Sequence, residues 1–539
     1  MLVAIFLVLA TFAVSSYCKI YTSVSDLPRS QFDFVVVGGG TAGSVVVNRL
    51  TENPSVSVLI LKVGPINEGF IDSEAPFLVI DMIGNHAIWT WNFSSTPQPG
   101  LNGHIVLYAC AHILGGCSSH NGMYYIRGLR DDFDRFAKVT GDLGWSWDRL
   151  LPYFFKNENH PASARVLQMT KELADEFLFN LDMNSGTPLG VGWLQETIGG
   201  GERSTKGGAV FHAIEFSQDQ SRPLSTVRAS KEIILLAGVI GTPHLALGIP
   251  TLLDLLSIGK NVSDHPAVNP MWSVNSTDTV ELIRQNITQF NAAFVQWNRT
   301  KTGPFVAIGV THVRWSHINT TSSIFSQFQD LSAAAHRPKA GSFSGLIPGH
   351  FFSIDMAIVS PMSRGSILFN STNPFDPLLI NPGLLQSDFD VLVLCEVIKM
   401  AWKSVTAPVW QGYILVLTTN LTNVTTDVDL DVSAAMSTGN AGYGVVNPDL
   451  LVKGATGLCI IDASPFVPSA HTQAMTYVFA ERGSDLIKKH MDDADNGFFI
   501  QMFLVFSQNV RIMSVRKPPQ TLKCNNKERN SNWSSGILR

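Results

Sequence analysis

The strongest constraint on the fold is a glycine-rich turn between a strand pattern and a helix pattern near the start of the chain. Residues 32–37 read FDFVVV, glycines follow at 38, 40 and 43, and a second apolar run, SVLIL, begins at 57. Such glycines permit a tight turn, backbone approach to a pyrophosphate and close helix–strand packing. Free N–H groups at the start of the helix then favour phosphate. The segment predicts a βαβ unit for an adenine dinucleotide, with these residues at the phosphates: Gly38, Gly40, Thr41, Ala42 and Gly43.

The second strand of this unit ends in Lys62, where such units ordinarily place an acidic residue that binds the ribose hydroxyls. An ammonium group donates hydrogen bonds and accepts none. Two interpretations stay open on the residues alone. The cation favours the 2′-phosphate of NADP, or the cofactor is FAD with a ribose contact weakened by about 1.5–3 kcal/mol for each lost charge-assisted bond.

Length and composition favour a globular protein of two domains. The chain has 539 residues, of which 45% are hydrophobic and 15% charged, and a net charge of −5. No basic stripe is present, which argues against nucleic acid as a partner. The six cysteines are too few and too scattered for a disulfide scaffold, and none has metal-site spacing. We therefore expect no structural metal.

Residues 1–17 have the pattern of a secretory signal peptide, an apolar run followed by small residues. The run is about 13 residues, short for the roughly 20 that span a bilayer, so we expect no stable membrane insertion. An uncleaved anchor is the alternative. Glycosylation sequons support secretion to the extracellular space. They include those that begin at Asn92, Asn261, Asn275, Asn286, Asn298, Asn319 and Asn370.

Several blocks, in order along the chain, resemble the signatures of the glucose-methanol-choline (GMC) flavoprotein oxidoreductases. They are LGGCSSHNGMYYIRGLRDDFDRFA (114–137), GDLGWSWDRLLPYF (141–154), AGVIGTPHL (237–245), IGKNVSDHP (258–266) and the segment 445–487 around IIDASPFVPSAHTQAM. The resemblance extends from about residue 32 to 488. Details such as WNRTKTGPF (297–305) look most like the fungal aryl-alcohol oxidases within that family.

The resemblance implies an α/β (α+β) fold. A Rossmann-like FAD domain is assembled from discontinuous segments, 32–268 and 441–490, and a substrate-binding domain with an antiparallel sheet occupies 269–440. Residues 491–539 show no periodic pattern and are expected to form a tail. The implied reaction is oxidation of a primary alcohol, aryl or aliphatic-unsaturated, by hydride transfer to flavin, with O2 or a quinone as possible electron acceptor. NADP then becomes a minor alternative.

The resemblance also implies where the cofactor lies. Lys62 stands where the family has its ribose glutamate. A second loop passes the flavin, and residues of the C-terminal block lie near the pyrophosphate and the pyrimidine end of the ring. These further contacts are Gly115, Gly116, Ser118, Asn121, Gly122, Asp462, Ala463, Thr472 and Gln473. His120, beside the second loop, is an alternative attachment point for flavin, although the aryl-alcohol oxidase resemblance favours non-covalent binding.

Histidine suits the proton acceptor of such a reaction because its pKa lies near working pH. The family uses a His-His or His-Asn pair, and His471 matches its second member. Aromatic residues that could line an aryl pocket are Phe93, Tyr124, Phe351 and Phe352.

The first member of the pair has no counterpart, because no histidine occurs between His350 and His471. Asp427, Asp429 or Asp431 could replace it chemically, but a carboxylate is the weaker base. Absence of a general base costs about 10²–10⁴ in rate. The second signature also lacks its usual end, and the stretch 211–235 is short where the family has strands over the adenine. A degenerate, catalytically impaired flavin-binding protein, or a gene model with mis-joined exons, is therefore the alternative.

Overall fold

The structure is a computed structural model. It describes residues 18–21, 23–82, 88–155, 190–193, 198–199, 202–203, 214–216, 225–247, 257–307, 312–315, 339–340, 349–371, 376–418, 423–431, 435–438, 441, 443–453, 455, 457–463, 465, 469–492 and 501–506. The expected signal peptide (1–17), Asn319 and most of the expected tail lie outside this part of the chain.

Ten α-helices lie among the described residues, together with several single turns of 3-10 helix. They are α1 Thr41–Leu50, α2 Ile71–Glu74, α3 Val79–Met82, α4 Arg130–Thr140, α5 Trp147–Phe155, α6 Gly238–Leu247, α7 Val280–Gln285, α8 Ile287–Thr300, α9 Asp388–Val405 and α10 Thr472–Asp492.

Twenty-two strands accompany these helices in the described residues. They are β1 Cys18–Tyr21, β2 Gln31–Val37, β3 Ser57–Lys62, β4 Phe93–Ser94, β5 Leu107–Tyr108, β6 Gly190–Trp193, β7 Ile198–Gly199, β8 Glu202–Arg203, β9 Ile214–Phe216, β10 Ser225–Leu235, β11 Lys260–Val268, β12 Met271–Val274, β13 His312–Trp315, β14 Lys339–Ala340, β15 Phe351–Ser353, β16 Met356–Ala357, β17 Gly365–Leu368, β18 Leu379–Asn381, β19 Ile414–Leu417, β20 Asn423–Asp431, β21 Leu458–Ile460 and β22 Gln501–Phe506.

The main sheet is parallel and contains the predicted βαβ unit. Its order is β1-β22-β3-β2-β10-β21, and β9 adds an antiparallel partner to the start of β10. Strands β2 and β3 are almost entirely buried, as expected for parallel strands covered on both faces. Segments far apart in sequence thus form one sheet, which confirms the predicted α/β class.

A second, mostly antiparallel sheet has the order β14-β20-β11-β17-β18, with β16 also on β11. Its hydrophobic core, which includes Val262, Ile367 and Ile380, is separate from the core of the parallel sheet. The sequence assigns residues up to 268 to the FAD region, whereas β11 pairs with strands of this second sheet. A third sheet has the order β15-β12-β19, and its strands come from the same part of the chain as those of the second sheet.

The C-terminal region differs from expectation. The sequence predicts an unpatterned tail from residue 491, but Gln501–Phe506 forms a strand that runs parallel to β3 on one side and β1 on the other. Apolar residues in the run FFIQMFLVF fit a position between two strands. A pattern of six residues is too short to separate a strand from other apolar segments by sequence alone.

Helix α10 packs on α1 and joins the C-terminal segment to the first βαβ unit. Arg49 on α1 donates from Nε and Nη2 to the two carboxylate oxygens of Glu481 on α10, and both hydrogen bonds are 2.7 Å long. Glu481 is buried, and Arg49 also contacts the exposed Glu52 at 2.7 Å. A bidentate pair of this kind fixes the orientation of the two helices as well as their contact.

Replacing Arg49 by Ala should lower the free energy of unfolding by about 3 kcal/mol, because it leaves the buried carboxylate of Glu481 without this cation. The matched control is Glu52→Ala, which removes the exposed partner and should cost less than about 1 kcal/mol. Denaturant unfolding followed by circular dichroism measures both. Equal effects of the two variants would contradict a structural role for the buried pair.

Candidate active site

The glycine turn after β2 excludes side chains at two of its positions. Gly38 has φ +116°, and a Cβ atom there would lie 2.0 Å from the carbonyl oxygen of Leu236 at the end of β10. A Cβ on Gly43 would lie 2.1 Å from the carbonyl oxygen of Gly38. These contacts place the turn directly against the neighbouring strand and give the first and third glycines the structural roles that the motif predicts.

Gly40 is different, because the space beside it is open. The nearest atom to a Cβ built on Gly40 is the Cα of Gly116, at 3.8 Å. Gly40 is also the N-cap residue of α1 and gives its first turn no side-chain hydrogen bond. The first turn of a helix has N–H groups without partners in the helix and a positive dipole end. This position therefore suits the close approach of an anionic group.

The second predicted loop packs on the glycine turn. The amide of Gly115 donates to the carbonyl of Gly39 over 2.8 Å, and Gly116, at φ +58°, would place a Cβ 2.7 Å from the Cα of Gly40. Ser118 is buried and donates to the carbonyl of Gly115 over 2.6 Å. Two segments about 75 residues apart in sequence thus meet without side chains between them.

The same loop reaches the start of α10. Asn121 donates from Nδ2 to Oε1 of Gln473 over 2.9 Å, and its Oδ1 accepts from the amide of Met123 over 3.1 Å. Gln473 in turn donates to the hydroxyl of Tyr477 over 3.4 Å. These bonds bring two of the predicted cofactor contacts, Asn121 and Gln473, into direct contact with each other. Gly122 follows Asn121 in the loop, and a Cβ built on it would lie at ordinary contact distances from the Tyr124 ring.

His471 lies immediately before α10, and its ring packs edge-on against the ring of Tyr124, with the two centroids 4.8 Å apart at 69°. Both side chains are half-buried. Met123 is buried at φ 63°, a left-handed conformation that is uncommon for a residue with a side chain. Such conformations concentrate at functional sites, where the surrounding structure holds them in place. The next residue is Tyr124, whose ring contacts His471.

Asp462 follows β21 and is buried. Its Oδ2 accepts from the amide of Gly238 over 2.9 Å and from the hydroxyl of Thr242 over 2.6 Å. The carboxylate thus connects the end of β21 to the first turn of α6. Ala463, half-buried, comes next, and Thr472 begins α10, where its carbonyl accepts from Thr476. These residues lie at carboxyl ends of parallel strands or in the loops that follow them, the edge where such sheets bind ligands.

Lys62 is buried at the end of β3, and its side chain lies over the glycine turn. A Cβ on Gly39 would be 3.4 Å from its Cδ and 3.5 Å from its Cγ. Burial lowers the pKa of Lys62 to about 8, against a smaller opposing effect of Cys117. The pKa of the nearby His112 is lowered by its own burial and, to a smaller extent, by the charge of Lys62. A cation therefore lies where the ribose carboxylate is expected.

The other sequence candidates lie elsewhere or outside the described side chains. Phe93 stacks on Trp91, and Phe352 packs on Trp272 and Trp410 of the third sheet, so of the four aromatic candidates only Tyr124 contacts His471 among the described ring pairs. His120 is buried at the end of the turn formed by residues 116–119. Asp427, Asp429 and Asp431 belong to β20, whose backbone alone is described.

Sequence reasoning missed several residues of this region. Thr242 orients Asp462, Tyr477 contacts Gln473, and Cys117 and His112 contribute to the electrostatics of Lys62. Tyr477 lies four residues after Gln473 on a helix, a spacing that identifies neighbours on one face. The other contacts cross between segments with no common sequence pattern. Within the described part of the chain no three His, Cys, Asp or Glu residues group as metal ligands, and no helix is long and apolar enough to cross a membrane.

Comparison with known proteins identifies the family. Two family models described as GMC oxidoreductase match residues 32–197 and 361–480. Dehydrogenase eriK from Hericium erinaceus is 33% identical over 589 positions, which cover 89% of this chain and 98% of that protein. A pyranose dehydrogenase from Agaricus campestris is 31% identical over 89% of this chain and 97% of its own length. The chain belongs to the GMC oxidoreductase family.

Solved structures show the same fold at lower sequence identity. A variant of formate oxidase from Aspergillus oryzae superposes with a TM-score of 0.74 at 22% identity, covering 86% of this chain and 99% of that one. A fungal aryl-alcohol oxidase superposes with a TM-score of 0.66 at 20% identity, covering 86% and 100%. These values confirm the predicted fold.

The alignments also show that this chain lacks residues that its relatives have. The comparison with the Hericium protein spans 589 positions, whereas 89% of 539 residues is about 480, so about 110 positions have no residue here.

The cofactor of this family is FAD, and the described residues fit it. Gly40 leaves room for the pyrophosphate at a helix start without a side-chain cap, and Gly38, Gly43 and Gly116 permit the close backbone contacts around it. The interpretation of Lys62 as an NADP residue is thereby set aside. The individual contacts carried over from the family remain predictions.

The fit makes a prediction for Gly40→Ala. The protein has room for the added methyl group and φ is −96°, so folding should be unaffected, while FAD affinity should fall about tenfold or more because the methyl occupies the approach of the pyrophosphate. Titration of the apoprotein with FAD, followed by quenching of flavin fluorescence, measures the affinity. Thermal unfolding of the apoprotein is the control for folding. Unchanged affinity would place the pyrophosphate elsewhere.

Proposed function

We propose that this protein oxidises a primary alcohol, aryl or aliphatic-unsaturated, to the aldehyde, with His471 as the residue that accepts the hydroxyl proton. The observation that supports this most is the position of His471. It precedes α10 beside the loop 115–124 and contacts Tyr124, while Asn121 and Gln473 connect the same loop and helix. A half-buried imidazole next to a cofactor loop has access to a small substrate and a restricted orientation.

The reaction removes two electrons and two protons from the alcohol. FAD, when bound, supplies the acceptor for the hydride that leaves the substrate carbon. A neutral imidazole nitrogen of His471 accepts the hydroxyl proton as the hydride departs, so that a carbonyl group forms without a free alkoxide. Packing of the Tyr124 ring against the imidazole restricts its rotation, which keeps the accepting nitrogen directed at one place.

A different candidate is a GMC protein that binds flavin but turns over little. Its support is the absence of any histidine between His350 and His471, which leaves one imidazole where the family resemblance implies a pair. A single base can still accept the proton, but it must also orient the substrate oxygen. The shortened alignment is a second observation in favour of this candidate.

The similar proteins favour two different groups of substrate for the proposed reaction. The aryl-alcohol oxidase among the structural neighbours agrees with the aromatic face of Tyr124 and favours a benzylic or allylic alcohol. The pyranose dehydrogenases among the relatives favour a sugar hydroxyl instead. The electron acceptor in the second half of the reaction is O2 or a quinone.

Anaerobic reduction of the bound flavin tests the proposal. The wild-type protein, mixed with benzyl alcohol, should lose its flavin absorbance. His471→Ala should keep its flavin but bleach about 10²–10⁴ times more slowly, because the proton acceptor is gone. Glucose, offered in a parallel experiment, tests the sugar alternative.

The matched control is Phe352→Leu, which alters an aromatic candidate of the third sheet and should bleach at the wild-type rate. Flavin content, measured by absorbance, confirms that each variant is loaded. Wild-type flavin that stays oxidised with every alcohol would favour the impaired protein over the enzyme.

We further propose that the protein is secreted and glycosylated. Six of the sequon asparagines named from the sequence have described side chains, and all six are exposed, as the modification requires. They are Asn92, Asn261, Asn275, Asn286, Asn298 and Asn370.

Expression in a fungal host tests this proposal. The protein should appear in the medium without residues 1–17, and its mass should fall after treatment with an N-glycosidase. Asn298→Gln should remove one glycan, because this residue is exposed on α8. Protein that stays inside the cells with an unchanged mass would contradict both parts.

A further inference from the structure

Lys62 is a buried cation at the cofactor cradle. It is 7% exposed, and its Cγ and Cδ pack over Gly39, the residue that precedes the N-cap Gly40 of α1. The ammonium is two bonds beyond Cδ, so it cannot lie far from Gly39 and the glycine turn that leads into α1. The structure therefore places a titratable positive group next to the position where an anion is expected.

The charges around Lys62 do not neutralise it. Among the described residues, its electrostatic neighbours are Cys117, from the turn after Gly116, and His112, from the segment before it. Within the same residues, no carboxylate forms an ion pair or hydrogen bond with its ammonium. A desolvated cation without a carboxylate partner gains most from an anionic ligand, because a low-dielectric surrounding strengthens the attraction.

We propose that protonated Lys62 is a counter-charge for the pyrophosphate of FAD, so that binding of FAD is coupled to protonation of this side chain. The pyrophosphate carries two negative charges, whereas the start of a helix supplies only about half a positive charge. Lys62 thereby exchanges the ribose contact of the family for an electrostatic contact with the phosphates. The substitution changes how the nucleotide is held and does not abolish its binding.

The sign of the pH dependence follows from linkage. Without FAD, the pKa of Lys62 is lowered to about 8 by burial, and the bound dianion must raise it. Below pH 8 the side chain is charged in both states, and the affinity for FAD does not change with its titration. Above pH 8 binding must take up a proton, so the affinity falls, by about tenfold between pH 7 and pH 9.

Titration of the apoprotein with FAD between pH 6.5 and pH 9, followed by flavin fluorescence, tests the coupling. The wild-type affinity should fall as the pH rises above 8. Lys62→Met keeps the apolar stem and should bind FAD more weakly at pH 7, without the fall at higher pH. Lys62→Arg keeps a charge that does not titrate in this range and should remove the pH dependence while retaining the affinity.

Lys62→Glu decides between the phosphate contact and the ribose contact. On our proposal it weakens FAD binding at pH 7 more than Lys62→Met does, because a carboxylate repels the phosphates. Tighter binding by Lys62→Glu than by the wild type would overturn the proposal in favour of a ribose acceptor. A pH dependence that persists in Lys62→Met would also overturn it, since Cys117 or His112 would then carry the titration.

These outcomes are distinct from failure of the proposed enzymatic function, because the readout is affinity and requires no turnover. Thermal unfolding of each apoprotein shows whether the variant is folded. Absence of FAD binding by folded wild-type protein at every pH would overturn the proposal together with the cofactor.

Discussion

The contact between two glycine segments controls the geometry of the candidate site. Gly115 donates to the carbonyl of Gly39, and a methyl group on Gly116 would clash with the Cα of Gly40. The backbone of the second loop is therefore fixed directly to the start of α1. Because Asn121 continues from this loop to Gln473, the position of His471 depends on the same contact. Small residues here set a distance that larger residues could not reproduce by repacking.

The C-terminal segment supplies further contacts that position the candidate site. Helix α10 is joined to α1 through Arg49 and Glu481, and Asp462 joins β21 to the start of α6. Both attachments bury charged groups with good hydrogen-bonding partners, so each specifies one arrangement of its elements. The candidate proton acceptor comes between these two attachments in sequence. A residue immediately before a helix anchored in this way is held more rigidly than one in a free loop.

The sequence predicts the parts of the molecule that local patterns encode. The strand around Phe34, the glycines and the strand ending in Lys62 follow from periodicity and turn chemistry, and the structure contains them as predicted. Contacts between distant segments have no such signature. The partnership of β22 with β3, the hydrogen bond from Asn121 to Gln473 and the packing of Tyr124 on His471 all depend on tertiary arrangement. The left-handed backbone of Met123 is another feature without a local sequence signature, because the folded loop imposes it.

Lys62 and the missing histidine affect different free energies. Lys62 changes the charge beside the nucleotide, and therefore the binding of FAD, while the glycine cradle that admits the nucleotide keeps its shape. In the proposed reaction, the absence of a second histidine affects the transfer of a proton, and therefore the barrier of the chemical step. Binding energy at a remote part of a cofactor does not by itself lower that barrier. A chain with this sequence can thus retain the cofactor and still differ greatly from its relatives in rate, because the two properties depend on separate residues.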